Sequence, residues 1–310
     1  MKVTAIDRRA LPPHAKLSVW HSSDNWPMRR MDWPQPEGAP VRGSLIFAGG
    51  RGDFIEKYLE PLGHWHARGW NVTSFDWRGQ GESRGSIRGG HLDSFDQILA
   101  DGAALVGDWL QGEGPHVAVG HSMGGHLLLR ILAEHRIRLD AAVLVAPMIG
   151  INSSPLPSWL AQLIAQNLTS FGWGKIPVWS HESKLQQGSM RRKILTSCPE
   201  RYSDELWWFE QRPGYSLGAP SWGWLAAAYR SIASLTPEKL RSVKLPMLLL
   251  GTDRDRLVSP SAIRWAAGLL PKAELTMFPD AGHEILRETD AIRLPALERI
   301  DTFLDEHARG

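Results

Sequence analysis

A serine can act as a nucleophile when a sharp strand-to-helix turn projects its hydroxyl and a base removes its proton. The pattern G-x-S-x-G, which such a turn uses, occurs three times, around Ser83, Ser122 and Ser216. In a chain with 30 Gly the bare pattern says little, so the flanks decide. Only Ser122 has an apolar run entering (His116-Val117-Ala118-Val119) and a helical run leaving (Met123-Gly124-Gly125-His126-Leu127-Leu128-Leu129). Small residues there let strand and helix approach closely, and the helix N-terminus favours developing negative charge. Ser83 follows the polar Arg78-Gly79-Gln80 and precedes more glycine. Ser216 lies between Pro213 and Pro220, where neither a central strand nor a helix fits. Both read as glycine-rich turns.

A serine at such a turn needs a base and an orienting acid, which follow it in the order acid, then histidine. Of 12 His, only His283 and His307 lie beyond the apolar run at 246–251. His307 sits on a polar tail. His283 ends Pro279-Asp280-Ala281-Gly282-His283, directly after the last apolar run. That is the carboxyl end of a strand, where sites in open α/β sheets lie. The acid belongs just past the preceding strand, which leaves Asp253 and Asp255; position alone does not separate them. Two backbone N–H groups must bind the tetrahedral oxygen. Met123, directly after the serine, offers one. Arg51, in the loop Ala48-Gly49-Gly50-Arg51-Gly52, is the candidate for the other.

The elements that must position these residues read as α/β. Short continuous apolar runs at 44–48, 71–77, 116–120, 141–146, 246–251 and 274–278 alternate with helical spacing at 54–68, 94–110, 123–135 and 291–306. That rhythm predicts a mostly parallel sheet with helices on both faces. Asp93 or Ser94 is the expected N-cap of the second helix. Alternation at 17–21 and 28–33 around a Ser-Ser-Asp-Asn turn predicts an N-terminal antiparallel hairpin. Between 148 and 235 the rhythm breaks. We read that stretch as an insertion over the sheet, with 1–147 and 236–310 forming the core.

Composition bounds the rest. The chain has 310 residues, 43% hydrophobic and 22% charged, with a formal net charge of +2, which suits a globular fold and excludes disordered, collagen-like or coiled-coil chains. Thirty-five basic residues face 33 acidic ones, so nothing points to nucleic acid. One cysteine, Cys198, excludes a disulfide framework and suits a reducing compartment. No run reaches the ~18–20 apolar residues of a membrane span. Charges near the N-terminus stand where a signal peptide needs an apolar stretch, so we expect a soluble, cytoplasmic protein.

At this point the residues resemble a family, the α/β-hydrolases of the monoacylglycerol lipase and bacterial lysophospholipase type, from about 41 to 306. The likeness rests on Phe54-Ile55-Glu56-Lys57-Tyr58, on Asp76-Trp77-Arg78-Gly79-Gln80-Gly81-Glu82-Ser83 and on Gly120-His121-Ser122-Met123-Gly124-Gly125. It extends to Asp255-Arg256-Leu257-Val258 and Ala281-Gly282-His283, and to Leu195-Thr196-Ser197 and Gly218-Ala219-Pro220-Ser221-Trp222-Gly223-Trp224 in the insertion. The resemblance implies the α/β-hydrolase fold, and Asp255 as the acid in preference to Asp253. It implies that 76–83 is a structural loop, and that 148–235 is a cap shaping an acyl-chain pocket. It implies a serine esterase of monoacyl lipids that needs neither cofactor nor metal. The family usually has His-Gly before the oxyanion residue; here the pair is Gly49-Gly50. A serine peptidase of the aminopeptidase type and a catalytically silent binding protein are the rival readings.

Several features stand outside this reading. His64 and His66 fall at i and i+2 of a helical stretch and do not share a face, so no metal is expected there. His91 and Asp93 read as polar ties beneath the site. Met190-Arg191-Arg192-Lys193 reads as a solvated basic surface, with attraction to anionic lipid as the sharper alternative. The glycine-rich stretches lack the spacing of a phosphate-binding loop. The 15 Trp are the unusual count, and seven of them (159, 173, 179, 207, 208, 222 and 224) fall in the insertion. Trp offers apolar area with a polar handle, which suits pocket walls and membrane interfaces. Trp222, Trp224 and Gly50 are therefore candidate substrate contacts. The expected partner is a small lipid or ester, with peripheral contact at the inner membrane face left open, as is the oligomeric state.

Overall fold

The structure, a computed structural model, describes residues 6–87, 89–135, 137–179 and 184–308, with the backbone alone described for 184–189. Strands β1 (Lys16–His21) and β2 (Pro27–Trp33) form the expected hairpin, registered from Lys16 opposite Asp32 to His21 opposite Pro27. They extend a sheet completed by β3 (Gly43–Ala48), β4 (Trp70–Phe75), β5 (His116–His121), β6 (Ala141–Val145), β7 (Met247–Gly251) and β8 (Ala273–Met277). The order is β1-β2-β4-β3-β5-β6-β7-β8. β2 meets β4 antiparallel, and every pairing from β4 to β8 is parallel. Every residue of β3, β6 and β7 is buried, which is why these strands read as unbroken apolar runs rather than alternating ones.

Helices pack around the sheet. α1 (Leu59–His66) follows a short 3-10 turn, Ile55–Tyr58, so the helical spacing at 54–68 divides into two pieces. α2 spans Asp96–Trp109, one to two residues later than expected. Phe95 occupies the cap position, and Ser94 Oγ accepts the Asp96 N–H at 3.1 Å. α3 is Met123–Glu134. Between β6 and β7 the chain leaves the sheet for α4 (Ser158–Leu168), α5 (Lys184–Leu195), α6 (Pro199–Gln211), α7 (Trp222–Ala233) and α8 (Pro237–Ser242). α9 (Pro260–Leu269), between β7 and β8, was not expected. It carries a plain N-terminal signal, Ser259 capping with Pro260 at the first helical position. α10 (Asp290–His307) closes the fold. No helix among the described residues is long and apolar enough to cross a membrane.

The tryptophans divide by location. Trp65, Trp70 and Trp77 are among the largest fully buried side chains and belong to the sheet core, outside the insertion. Within the insertion Trp208 and Trp224 are buried, while Trp159, Trp173 and Trp179 are 65%, 54% and 48% exposed.

The close approach of β5, α3 and the end of β3 depends on glycine. A Cβ on Gly124 would lie 2.2 Å from the Ala48 carbonyl oxygen, and one on Gly120 would lie 2.8 Å from Gly125 Cα. We expect Gly124→Ala to cost about 3 kcal/mol, because backbone meets backbone and neither can yield. Gly107→Ala, in the last turn of α2 with nothing within 4 Å, should gain about 0.5 kcal/mol. Urea denaturation of the two variants checks both signs.

Candidate active site

Ser122 lies between β5 and α3, at the cap position of α3, with φ 52° and ψ −116°, a left-handed conformation unusual for a residue with a Cβ. Its backbone is held from three sides. Its N–H donates to the Val145 carbonyl at the end of β6 (2.9 Å), and its carbonyl accepts from His126 and Met148, each at 3.0 Å. The other two G-x-S-x-G serines lie in turns, as expected. Ser83 is fully buried in a 3-10 turn, where its Oγ accepts the Arg29 N–H at 2.7 Å. Ser216 follows the turn Pro213–Tyr215.

His283 lies in the loop after β8, 3% exposed, with Nδ1 2.7 Å from Asp255 Oδ2. Asp255 lies past β7. Its Oδ1 accepts the Leu257 and Val258 N–H groups at 2.8 and 2.9 Å, and its carbonyl accepts from Asn152. Burial opposes ionisation of Asp255, but His283 and the two backbone donors outweigh it, and its pKa falls below the ordinary carboxylate value. Burial likewise opposes charging of His283, yet the Asp255 carboxylate, aided by Glu284 and Asp53, raises its pKa above the ordinary histidine value. Asp253 faces solvent instead, with both its oxygens 2.7 Å from Arg264 on α9.

The loop after β3 packs on the serine. A Cβ on Gly50 would lie 2.9 Å from Ser122 Cβ, so no other residue fits there without displacing the elbow. The Gly50 N–H is committed to Asp53 Oδ2 (2.6 Å) and the Gly52 N–H to Gln80. Between them, the Arg51 N–H meets no acceptor among the described residues. The Met123 N–H opens α3 and has no intrahelical partner. Gly49 stands where the resembled family carries histidine, and its carbonyl accepts the Trp77 indole N–H at 2.8 Å.

Beneath these residues lies a buried charge network that the sequence reading missed. Asp53 Oδ2 also lies 2.9 Å from His121 Nδ1, itself 2.9 Å from the Tyr58 hydroxyl. Lys57 Nζ bridges Asp53 Oδ1 (2.7 Å) and Glu284 Oε1 (2.6 Å). Arg287 pairs with Glu284 and with Glu205 of α6, and Glu205 also takes Arg191 of α5 at 2.7 Å. Burial works against every one of these charges, but their partners prevail: Asp53, Glu205 and Glu284 are held below their ordinary pKa, and Lys57 above its own. Arg191 is thus an inward ion-pair partner, correcting its reading as solvated surface. The available signal was Glu56-Lys57, charges inside an apolar helical pattern.

The insertion also grips the His283 loop directly. The His283 and Glu284 N–H groups donate to the Ile194 and Leu195 carbonyls at the end of α5 (3.2 and 2.8 Å), and Thr196 Oγ1 donates to the Arg287 carbonyl (2.8 Å). His91 Nδ1 lies 2.7 Å from Ser221 Oγ, the cap of α7, and His91 Nε2 is 3.1 Å from Asp93. Trp224 packs on Phe95 and lies under the Arg51 guanidinium, whereas Trp222 is half-buried at the start of α7. His64 and His66 take separate partners, Asp301 and the Pro34 carbonyl.

An antiparallel pair leading into a parallel sheet, with a left-handed serine on its fifth strand in chain order, places the chain among the α/β-hydrolases, a class of enzymes. Residues 39–290 match the family described as "Serine aminopeptidase, S33", and the chain belongs to it. Among relatives, it is 28% identical over 275 residues to a protein named "probable lysophospholipase L2" from Haemophilus influenzae, covering 87% of this chain and 86% of that one. It is also 28% identical over 286 residues to lysophospholipase L2 of Escherichia coli, covering 85% and 80%. A monoglyceride lipase from Saccharomyces cerevisiae, solved with a substrate analogue, shares the fold with a TM-score of 0.76 at 18% identity, covering 97% of this chain and 99% of that one.

The His283–Asp255 pair sets an expected titration. Followed by proton–nitrogen NMR, the His283 imidazole should titrate above about 6.5. In Asp255→Asn the largest influence opposing burial is lost and only Glu284 and Asp53 remain to favour the charged ring, so its pKa should fall. A His283 pKa unmoved by Asp255→Asn would break the assignment.

Proposed function

We propose that the protein is a serine carboxylic-ester hydrolase that cleaves monoacyl lipids. The observation that carries the reading is the buried 2.7 Å His283–Asp255 bond on the same edge of the sheet as the strained Ser122 elbow. Ser122 Oγ attacks the ester carbonyl while His283 takes its proton, and Asp255 fixes the tautomer and stabilises the imidazolium. The Met123 and Arg51 N–H groups receive the oxyanion. The protonated His283 gives its proton to the leaving alcohol. His283 then deprotonates a water that attacks the acyl-enzyme, releasing the fatty acid and restoring Ser122. Gly49 in place of histidine leaves this intact, because the donors are backbone groups.

Residues 148–235 serve in this reading as a cap, with Trp222 facing the acyl chain and Trp224 supporting it from the core. Support for a lipid substrate comes from the names of the relatives. The family description favours a peptidase instead, which would need an unpaired carboxylate for the substrate amine. The buried carboxylates nearest His283 are occupied by Lys57, Arg287 and Arg191, which weighs against that reading. Trp159, Phe171, Trp173 and Trp179 give the cap an exposed aromatic face suited to the lipid surface from which such substrates are drawn.

Ser122→Ala should abolish ester hydrolysis in a folded protein and prevent labelling by a fluorophosphonate probe. Retained turnover would refute the proposal. With a water-soluble aryl ester, kcat/KM should climb with pH through one ionisation above about 6.5, and Asp255→Asn should lower kcat by about 10⁴-fold. Replacing Trp159 and Phe171 together by Ser should weaken cosedimentation with anionic phospholipid vesicles several-fold. The same hydrolysis of the soluble aryl ester before and after separates surface binding from chemistry.

A further inference from the structure

We propose that the Arg51 guanidinium recognises the phosphodiester of a monoacyl phospholipid, a proposal that rests on the ester-hydrolase reading above. Buried cations are normally neutralised by carboxylates. Arg29, Arg78, Arg130, Arg191, Arg201 and Arg287 each are, by Glu56, Asp101, Glu134, Glu205, Glu60 and Glu205 in turn. Arg51 has no such partner among the described residues. Its Nη1 donates to the Gly218 carbonyl at 3.1 Å and its Nη2 to the Gly89 carbonyl at 3.0 Å; Nε is buried without any partner. Carbonyl oxygens accept hydrogen bonds but leave the net charge standing. The charge acting on it is another cation, Arg191, and desolvation with that repulsion lowers its pKa to about 10, which still leaves it charged at neutral pH. The Trp224 face, 5.2 Å from Cζ, holds the guanidinium plane in place.

The same loop is held by a second arginine bonded to carbonyls. Arg84 Nη1 donates to the Gly214 carbonyl at 2.7 Å. The segment 214–218 therefore lies between two cations whose partners are neutral, and the Gly218 bond of Arg51 lies at the surface, where an anion can compete for it.

Position completes the argument. The Arg51 N–H is the candidate oxyanion donor, and its guanidinium lies on the same residue. As many bonds separate that N–H from Cζ as separate the ester carbonyl carbon from phosphorus in a 1-acyl lysophospholipid. A lipid whose carbonyl sits at the backbone of residue 51 thus has its phosphodiester within the range of the side chain. Guanidinium and phosphate pair in a planar fork. A neutral monoacylglycerol offers nothing to neutralise the charge, and a substrate amine would be repelled.

The test compares kcat/KM for a lysophospholipid and a monoacylglycerol with the same acyl chain in the same micelles. The wild type should favour the lysophospholipid, and Arg51→Met should lower that ratio by about tenfold to a hundredfold. Arg51→Lys, which keeps charge but loses the fork, should fall between, and it carries the test should Arg51→Met not fold. A ratio unchanged in both variants, with the two activities falling together, would show that Arg51 only packs the loop and would overturn the proposal. Lysophospholipid binding to Ser122→Ala, with and without Arg51→Met, is read separately from turnover. No turnover of either lipid by the wild type refutes the ester-hydrolase reading, whereas binding indifferent to Arg51 refutes the phosphodiester site. A glycerophosphodiester should displace the bound lipid more effectively than inorganic phosphate. The reverse order would mark a free-anion site and overturn the proposal.

Discussion

Ser122 holds a left-handed backbone conformation that costs a non-glycine residue on the order of 1–3 kcal/mol, and its surroundings leave it no alternative. Val145, His126 and Met148 fix its peptide groups, so the end of β6 and the first turn of α3 must both be in place. The approach of α3 to β3 and β5 requires Gly120, Gly124 and Gly125, whose side chains would strike neighbouring backbone. Gly50 then closes from the other side against the serine's own Cβ. The glycines and the position of the loop after β3 serve to accommodate one angle.

A second constraint joins the parts that the elbow does not. Asp53 accepts from the Gly50 N–H and is held in turn by His121 and Lys57. Lys57 passes the connection to Glu284, next to His283, and Glu205 and Arg191 carry it into α6 and α5. The loop after β3, the residue before Ser122, the loop of His283 and the insertion thus share one set of ion pairs. Such pairs are weak evidence for stability, but removing one partner leaves a buried charge uncompensated. What they specify is relative position.

Most of the sheet was legible because fully buried parallel strands are continuous apolar runs between glycine-rich turns. The serine and histidine were legible because the turn needs small residues at fixed offsets and the chain order prunes the histidines. Asp255 was chosen over Asp253 only by resemblance. In the structure two backbone N–H groups and His283 surround Asp255, while Asp253 faces solvent and Arg264. Asp53–Lys57 and Glu284–Arg287 are local pairs at i,i+4 and i,i+3, but the network was illegible because nothing in the sequence joins these pairs to each other or to Glu205; those links exist only in space. The Trp count has two sources: Trp65, Trp70 and Trp77 pack the sheet, while Trp159, Trp173 and Trp179 of the insertion are exposed.

The span of that network bears on when the site can come into being. Lys57 and Glu284 are 227 residues apart, and the carbonyls that hold the His283 loop come from residues 194 and 195. On a ribosome the elbow and the oxyanion loop can close once β6 has emerged. The base cannot be seated until the chain beyond Arg287 is made. Until then Asp53–Lys57 and Glu205–Arg191 can pair, but Lys57 lacks Glu284 and Glu205 lacks Arg287. Synthesis therefore delivers the Ser122 elbow first and the His283–Asp255 pair last, so a chain truncated before β8 carries the elbow without that pair.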